Sequence, residues 1–144
     1  MTKIEFHVNA REKVVFTCRL LRKAVAKGSR VVVTGAPAVL RELDTVLWTF
    51  SPADFVPHCY ADGAPALVAA SPVLLAHSAR DTPHQEVLVN LGPEVPDGFE
   101  RYERLIEIVA SDDEDLQQGR HRWRHYADRG YALVKHDQAA KETS

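Results

Sequence analysis

Apolar and polar positions change period several times along the chain, and each change predicts an element. Ile4, Phe6 and Val8 alternate with Lys3, Glu5 and His7, the period of a half-buried strand. Val14, Cys18, Leu21 and Val25 then recur at helical spacing, and Gly28 is placed to end that helix. Arg30-Val31-Val32-Val33-Thr34 is short and β-branched, which predicts a strand buried on both faces, hence parallel and central. Gly35 supplies a turn. Pro37 suits the first position of a helix striped by Leu40, Leu43, Leu47 and Phe50, and Ser51-Pro52 ends it. Strand, helix, strand, helix is the opening of an α/β sheet with crossover connections.

From Ser51 to Gln85 the pattern is broken by Pro52, Pro57, Pro65, Pro72 and Pro83. Two short apolar runs, Ala66–Ala70 and Val73–Ala76, predict one or two short strands there. Glu86–Leu91 reads as a clearer strand, stopped by Gly92-Pro93. Asp97 and Glu100 fit a capping box that opens a helix carrying Phe99, Tyr102, Leu105, Ile106 and Val109. Ser111 and Glu114 form a second box, with Asp112, Asp113, Glu114 and Asp115 placed where a helix dipole favours acids. That last helix runs to about Arg129, with Gly130 past its end. Tyr131–Lys135 reads as a final strand and the polar tail from His136 as frayed. The fold expected from the pattern is α/β: a mostly parallel central sheet flanked by helices. Residues 1–136 form one domain and 137–144 a tail.

Composition narrows the function. The 144 residues suit one domain, and 45% apolar with 26% charged is an ordinary globular balance. A net charge of −2 excludes a generally basic nucleic-acid coat but not a local basic patch. No apolar run reaches the ~18 residues of a membrane span, and Met1-Thr2-Lys3-Ile4-Glu5 has no signal-peptide character. Cys18 and Cys59 form no CxxC and read as ordinary reduced thiols, so a cytoplasmic location is expected.

Several chemistries are weighed and set aside. The strand–Gly–helix unit around Val33–Pro37 has neither GxGxxG nor GxxxxGK[ST], so the phosphate cradle is missing. His121 and His125 have the i, i+4 spacing of zinc ligands, but no third ligand is obvious, and both read as solvent-facing. No serine sits in a GxSxG elbow, and Cys59 beside His58 reads as a structural thiol. No catalytic constellation, cofactor or metal site is expected.

Two segments stand out instead. From Gly119 to Tyr131 four arginines face one acid, a charge of +3, directly after four acids without a base in Ser111–Gln118. At 100° per residue Leu116, Gly119, Trp123, Tyr126 and Ala127 share one face, and Arg120 and Arg124 fall on its rim. An apolar platform with arginine forks beside it suits an acidic, aromatic-ended peptide. The plainer reading is an amphipathic helix with Trp123 in the core and its arginines solvated. The second segment is Leu47–His58. Trp48 lies off the leucine stripe and Phe55 follows in a proline-flanked loop, either as an exposed protein-binding anchor or buried by a loop that folds back.

These same segments carry a resemblance. Leu43-Asp44-(x3)-Trp48-(x6)-Phe55-Val56-Pro57-His58, with Gly119-Arg120-x-Arg122-Trp123-Arg124-x-Tyr126-(x3)-Gly130-Tyr131, resembles the chi subunit of bacterial DNA polymerase III holoenzyme, over essentially the whole chain. The resemblance implies a non-catalytic replisome adaptor on a Rossmann-like frame. One surface would bind the psi subunit of the clamp-loader complex through Trp48, Phe55 and Pro57, and some relatives use that surface for a helicase. Another would bind the acidic, Phe-ended tail of single-stranded-DNA-binding protein through Val109, Arg120, Trp123 and Arg124. Arg120 would take the terminal carboxylate, Val109 and Trp123 the ring, and Arg124 the upstream acids. Nucleic acid would be met only indirectly. This chain has Trp123 where the family often has tyrosine, and Leu116 where some members have a lysine, which implies fewer cations for the tail. The alternative reading is a module that binds single-stranded nucleic acid directly through the Arg/Trp-rich last helix.

Overall fold

The computed structural model describes residues 1–49, 55–80 and 82–139. Among these, seven strands form one sheet: β1 (Lys3–Ala10), β2 (Val31–Thr34), β3 (His58–Tyr60), β4 (Val73–Ala76), β5 (Val87–Asn90), β6 (Arg104–Ala110) and β7 (Leu133–Asp137). Their order is β3-β4-β2-β5-β6-β1-β7, and every neighbouring pair is parallel. Four helices cover it: α1 (Lys13–Ala26), α2 (Pro37–Thr49), α3 (Pro65–Ala70) and α4 (Asp113–Asp128).

The run Val31–Thr34 is a central strand, buried at all four positions. Val31 and Val33 join Cys18, Leu21, Leu40, Leu43 and Leu47 in a core beneath α1 and α2. Val32 points the other way, into a core with Ile4, Phe6, Val68, Leu105, Val109 and Tyr126 beneath α3 and α4. Sequence-distant residues thus meet on two faces of one sheet, and each helix buries only its apolar stripe. Cys18 and Cys59 are free, and burial pushes the Cys18 thiol up to about 11. None of the described helices is long and apolar enough to cross a membrane.

Three expectations are corrected. Ala66–Ala70 is helical, not extended: Pro65 sits at the helix start, where its fixed φ and missing N–H cost nothing. Among the described residues of that stretch the strands are Val73–Ala76 and the three residues His58–Tyr60. The helix expected after Asp97 is absent; a single 3₁₀ turn, Phe99–Arg101, leads into β6. Arg104–Ala110 is buried on both faces from Leu105 to Val109 because it lies between β5 and β1, and such a strand has no alternation to betray it. Asp97 is engaged instead by Arg80, whose guanidinium donates twice to its carboxylate, at 2.6 and 2.8 Å. The final strand begins two residues later than expected and continues through His136 and Asp137. Phe50, the Ser51-Pro52 stop and residues 140–144 of the tail lie outside the described residues.

Candidate protein-binding sites

α4 is fixed at both ends by its sequence. Asp112, one residue after the expected Ser111, is the N-cap, and its carboxylate accepts from the Asp115 N–H at 3.0 Å. Asp115 in turn accepts from the Ala110 N–H at 2.6 Å and pairs with Lys13 at 3.0 Å, which ties the start of α4 to the start of α1. Gly130, at φ +84°, takes the left-handed turn past the end.

Between these ends α4 lies unusually close to β6. A Cβ on Gly119 would stand 3.0 and 3.1 Å from the two γ-methyls of Val109. Glycine is what permits that approach, and it seals Val109 from solvent (1% exposed). One turn on, Trp123 is half-buried and meets Phe6 edge to face, with centroids 5.1 Å apart. Arg120 and Arg124 are both exposed. Of the sequence-predicted group, the two arginines thus stand exposed on α4, Trp123 is turned partly into the core against Phe6, and Val109 lies buried beneath Gly119. Ala127 is exposed rather than on the buried face.

Arg122, taken from sequence as one more surface arginine, is 2% exposed. Its Nε donates to Glu107 Oε1 at 3.0 Å and one Nη donates to the Pro93 carbonyl at 2.9 Å. Glu107, fully buried in β6, also accepts from Tyr126 Oη at 2.6 Å and from the Asn90 amide at 3.0 Å. Thr34 donates to Asn90, so the network links β2, β5, β6 and α4. Burial pushes the Glu107 carboxyl above the usual range, and Arg122, Tyr126 and Asn90 draw it back. A carboxylate inside an apolar run was the sequence signal for a buried partner on another element, since such a charge must be compensated.

The second site stands at the other end of the sheet, beyond α2. Trp48 is 62% exposed and Phe55 44%. Their rings are 4.9 Å apart, and Trp48 also stands edge-on to His58 at 5.5 Å. His58 is held from behind: Nδ1 donates to the Val56 carbonyl at 2.7 Å and Nε2 meets Asp44 at 2.8 Å. Pro57 is exposed beside them, while Val56 is buried and anchors the segment. Trp48 and Phe55 are thus brought together and neither is buried, with Pro57 exposed two residues further on. Two adjacent exposed aromatics form a contiguous apolar patch, a candidate protein-binding anchor.

At the carboxyl ends of β2 and β5, where α/β sheets bind nucleotides, a cleft is lined by Thr34, Gly35, Asn90, Gly92, Glu94 and Asp97. The Gly92 N–H is taken by Asn90 Oδ1 at 3.0 Å, and the lining carries two acids, a poor setting for phosphate. His121 and His125 lie on α4 as expected, His125 edge-on to Tyr126. Among the described residues, Glu5, His7 and His136 are the group of three possible metal donors within mutual reach, a cluster across β1 and β7 that sequence spacing did not reveal.

The comparisons with known proteins agree on one family. The family model described as "DNA polymerase III chi subunit, HolC" matches residues 1–134. A protein of Pseudomonas aeruginosa named DNA polymerase III subunit chi is 31% identical over 141 residues, 94% of this chain and 96% of that one. One of the same name from Haemophilus influenzae is 27% identical over 118 residues, 81% of each chain.

Proposed function

This chain belongs to the DNA polymerase III chi subunit family, an accessory subunit of the replicative polymerase, and from that premise we propose that it is a non-catalytic adaptor with two protein-binding surfaces. Trp48, Phe55 and Pro57 receive the psi subunit of the clamp loader. Arg120, Trp123 and Arg124 receive the acidic, Phe-ended tail of single-stranded-DNA-binding protein. The observation that carries the reading is the exposed Trp48–Phe55 pair, in ring contact at 4.9 Å with neither ring in a core. Contiguous exposed apolar surface marks sites of interaction. On α4, Arg120 and Arg124 lie four residues apart, about one turn of the helix, which suits both guanidinium forks to one short peptide, with half-buried Trp123 beside them for its ring. Val109 backs the site from beneath Gly119 without reaching solvent.

Calorimetric titration with a peptide copying the host tail, beside one lacking the final Phe, tests the α4 site. The first binds, more weakly as salt rises, and the second does not. Arg120→Ala removes most of the binding and leaves the fold intact. Equal binding by that variant, or equal binding of both peptides, overturns the assignment.

A further inference from the structure

The charge of this chain is not evenly spread. Arg11–Arg30 holds seven of the eighteen Lys and Arg residues against one acid, Glu12, so the remaining eleven bases face nineteen acids. α1 runs through the basic segment and borders a groove of about 760 Å³ over the open part of the sheet. Arg19, Lys23 and Lys27 line it, all exposed and spaced four residues apart, a ridge of cations ~6 Å apart along the helix. Lys13, by contrast, is spent on Asp115 and Arg30 on the Ala69 carbonyl.

Below the ridge the groove mixes apolar side chains (Val15, Leu20, Val87, Ile106) with two rings. Phe16 lines it, with its ring 5.3 Å from His7, and His7 stacks on His136 with centroids 4.8 Å apart and planes 19° from parallel. Glu5 also faces the groove. The His7 imidazole holds its carboxyl down, burial opposes this, and Arg104, bound at 2.7 Å, adds to the lowering and leaves it at about 2. Its charge is therefore answered by its own neighbours, and Glu12 is the other acid of the lining.

We infer that the groove along α1 binds the backbone of single-stranded nucleic acid, with Arg19, Lys23 and Lys27 on successive phosphates and the Phe16 and His7 rings against bases. A regular row of cations suits a uniform polyanion. Two of the three are lysines, point charges that suit phosphate, whereas a carboxylate-rich peptide favours the paired donors of arginine. The ring wall suits bases that a duplex would keep stacked away. The groove lies on the α1/α2 face of the sheet, opposite α4, so a strand held there leaves the proposed tail site free.

The test is fluorescence anisotropy of a labelled oligothymidylate of roughly 12 nucleotides with the full chain. Three phosphate contacts on a single strand predict binding at 50 mM salt that weakens about 20-fold by 200 mM. Arg19→Glu/Lys23→Glu/Lys27→Glu abolishes it while the circular dichroism spectrum and tail-peptide binding stay unchanged. The milder Arg19→Gln/Lys23→Gln/Lys27→Gln weakens it and flattens the salt dependence. Arg120→Ala leaves it untouched. No binding by the wild type at low salt overturns the proposal, as does full binding by the glutamate variant. So does loss of binding in Arg120→Ala, which would move the contact to α4. Equal displacement by a polyglutamate peptide of the same charge would make the occupant a protein and also overturn it.

Discussion

Replacing Gly119 with alanine sets two effects of similar size against each other, and the contact distances decide between them. In an exposed helix interior Gly→Ala gains about 1 kcal/mol from backbone entropy. Here the new methyl would stand 3.0 and 3.1 Å from the γ-methyls of Val109, well inside the ~3.5–4.0 Å of good carbon contact. Val109 is buried and β-branched, in a strand held by neighbours on both sides, so it has little freedom to turn away. α4 must lift instead, which disturbs the Trp123–Phe6 contact and the Arg122–Glu107 bond on the same helix. Overpacking of this kind costs about 1–3 kcal/mol. The net expectation is a loss of about 1 kcal/mol, with weaker tail-peptide binding because Arg120 and Trp123 move with the helix. Removing the two methyls by Val109→Ala frees the space, so Gly119→Ala in that background becomes neutral or stabilising, a coupling of roughly 2 kcal/mol. Urea denaturation of the four proteins measures the cycle, with an unchanged m-value as the check on two-state behaviour. A Gly119→Ala variant more stable than wild type, or a cycle with no coupling, refutes the reasoning.

Other expectations concern charge and the exposed rings. Arg122→Met leaves Glu107 buried without its counter-charge and should cost about 3–5 kcal/mol by chemical denaturation. That loss grows as pH rises past 4.5, where the unfolded chain ionises Glu107 freely and the folded one cannot; Glu107→Gln/Arg122→Met should cost less than the two single changes together. Glu5, held at about 2 in the fold against 4.5 when free, contributes stability above pH 4.5 that is lost as pH falls toward 2. Discounted for its partial exposure this is roughly 1–2 kcal/mol, and Glu5→Gln should flatten that part of a stability–pH curve. Trp48→Ala should change stability by no more than about 0.5 kcal/mol, because the ring is 62% exposed, yet remove most of the affinity for psi in a pull-down; retained affinity would put the psi surface elsewhere.

Much of the sheet was legible because its residues leave few choices. Val31–Thr34 is too short for a buried helix and too β-branched to prefer one, and Pro37 and Gly28 mark boundaries by backbone chemistry alone. Phe99–Val109 misled because a strand buried on both faces and the apolar side of a helix look alike when read by spacing. Trp48 was legible as an outsider from its place off the leucine stripe. Arg122 was not, because its burial depends on Glu107, a residue of another element that contiguous reading cannot bring beside it. The α1 groove escaped for a related reason: a row of cations on a helix looks solvated until β1, β5 and β6 supply the opposite wall.

The position of β1 also bears on how this molecule is made. The strand lies between β6 and β7, with Lys3 opposite Arg104 and Ile4 opposite Leu133, and it pairs with no other strand. A ribosome that has completed β1, α1, β2 and α2 has produced no hydrogen-bonding neighbour for the segment it made first. Ile4 and Phe6 must wait, unpaired, until nearly the whole chain has emerged. During translation this segment is an exposed apolar edge and a natural client for a chaperone. A message cut short before Arg104 yields a product that cannot bury it, one marked for degradation rather than a partly working subunit.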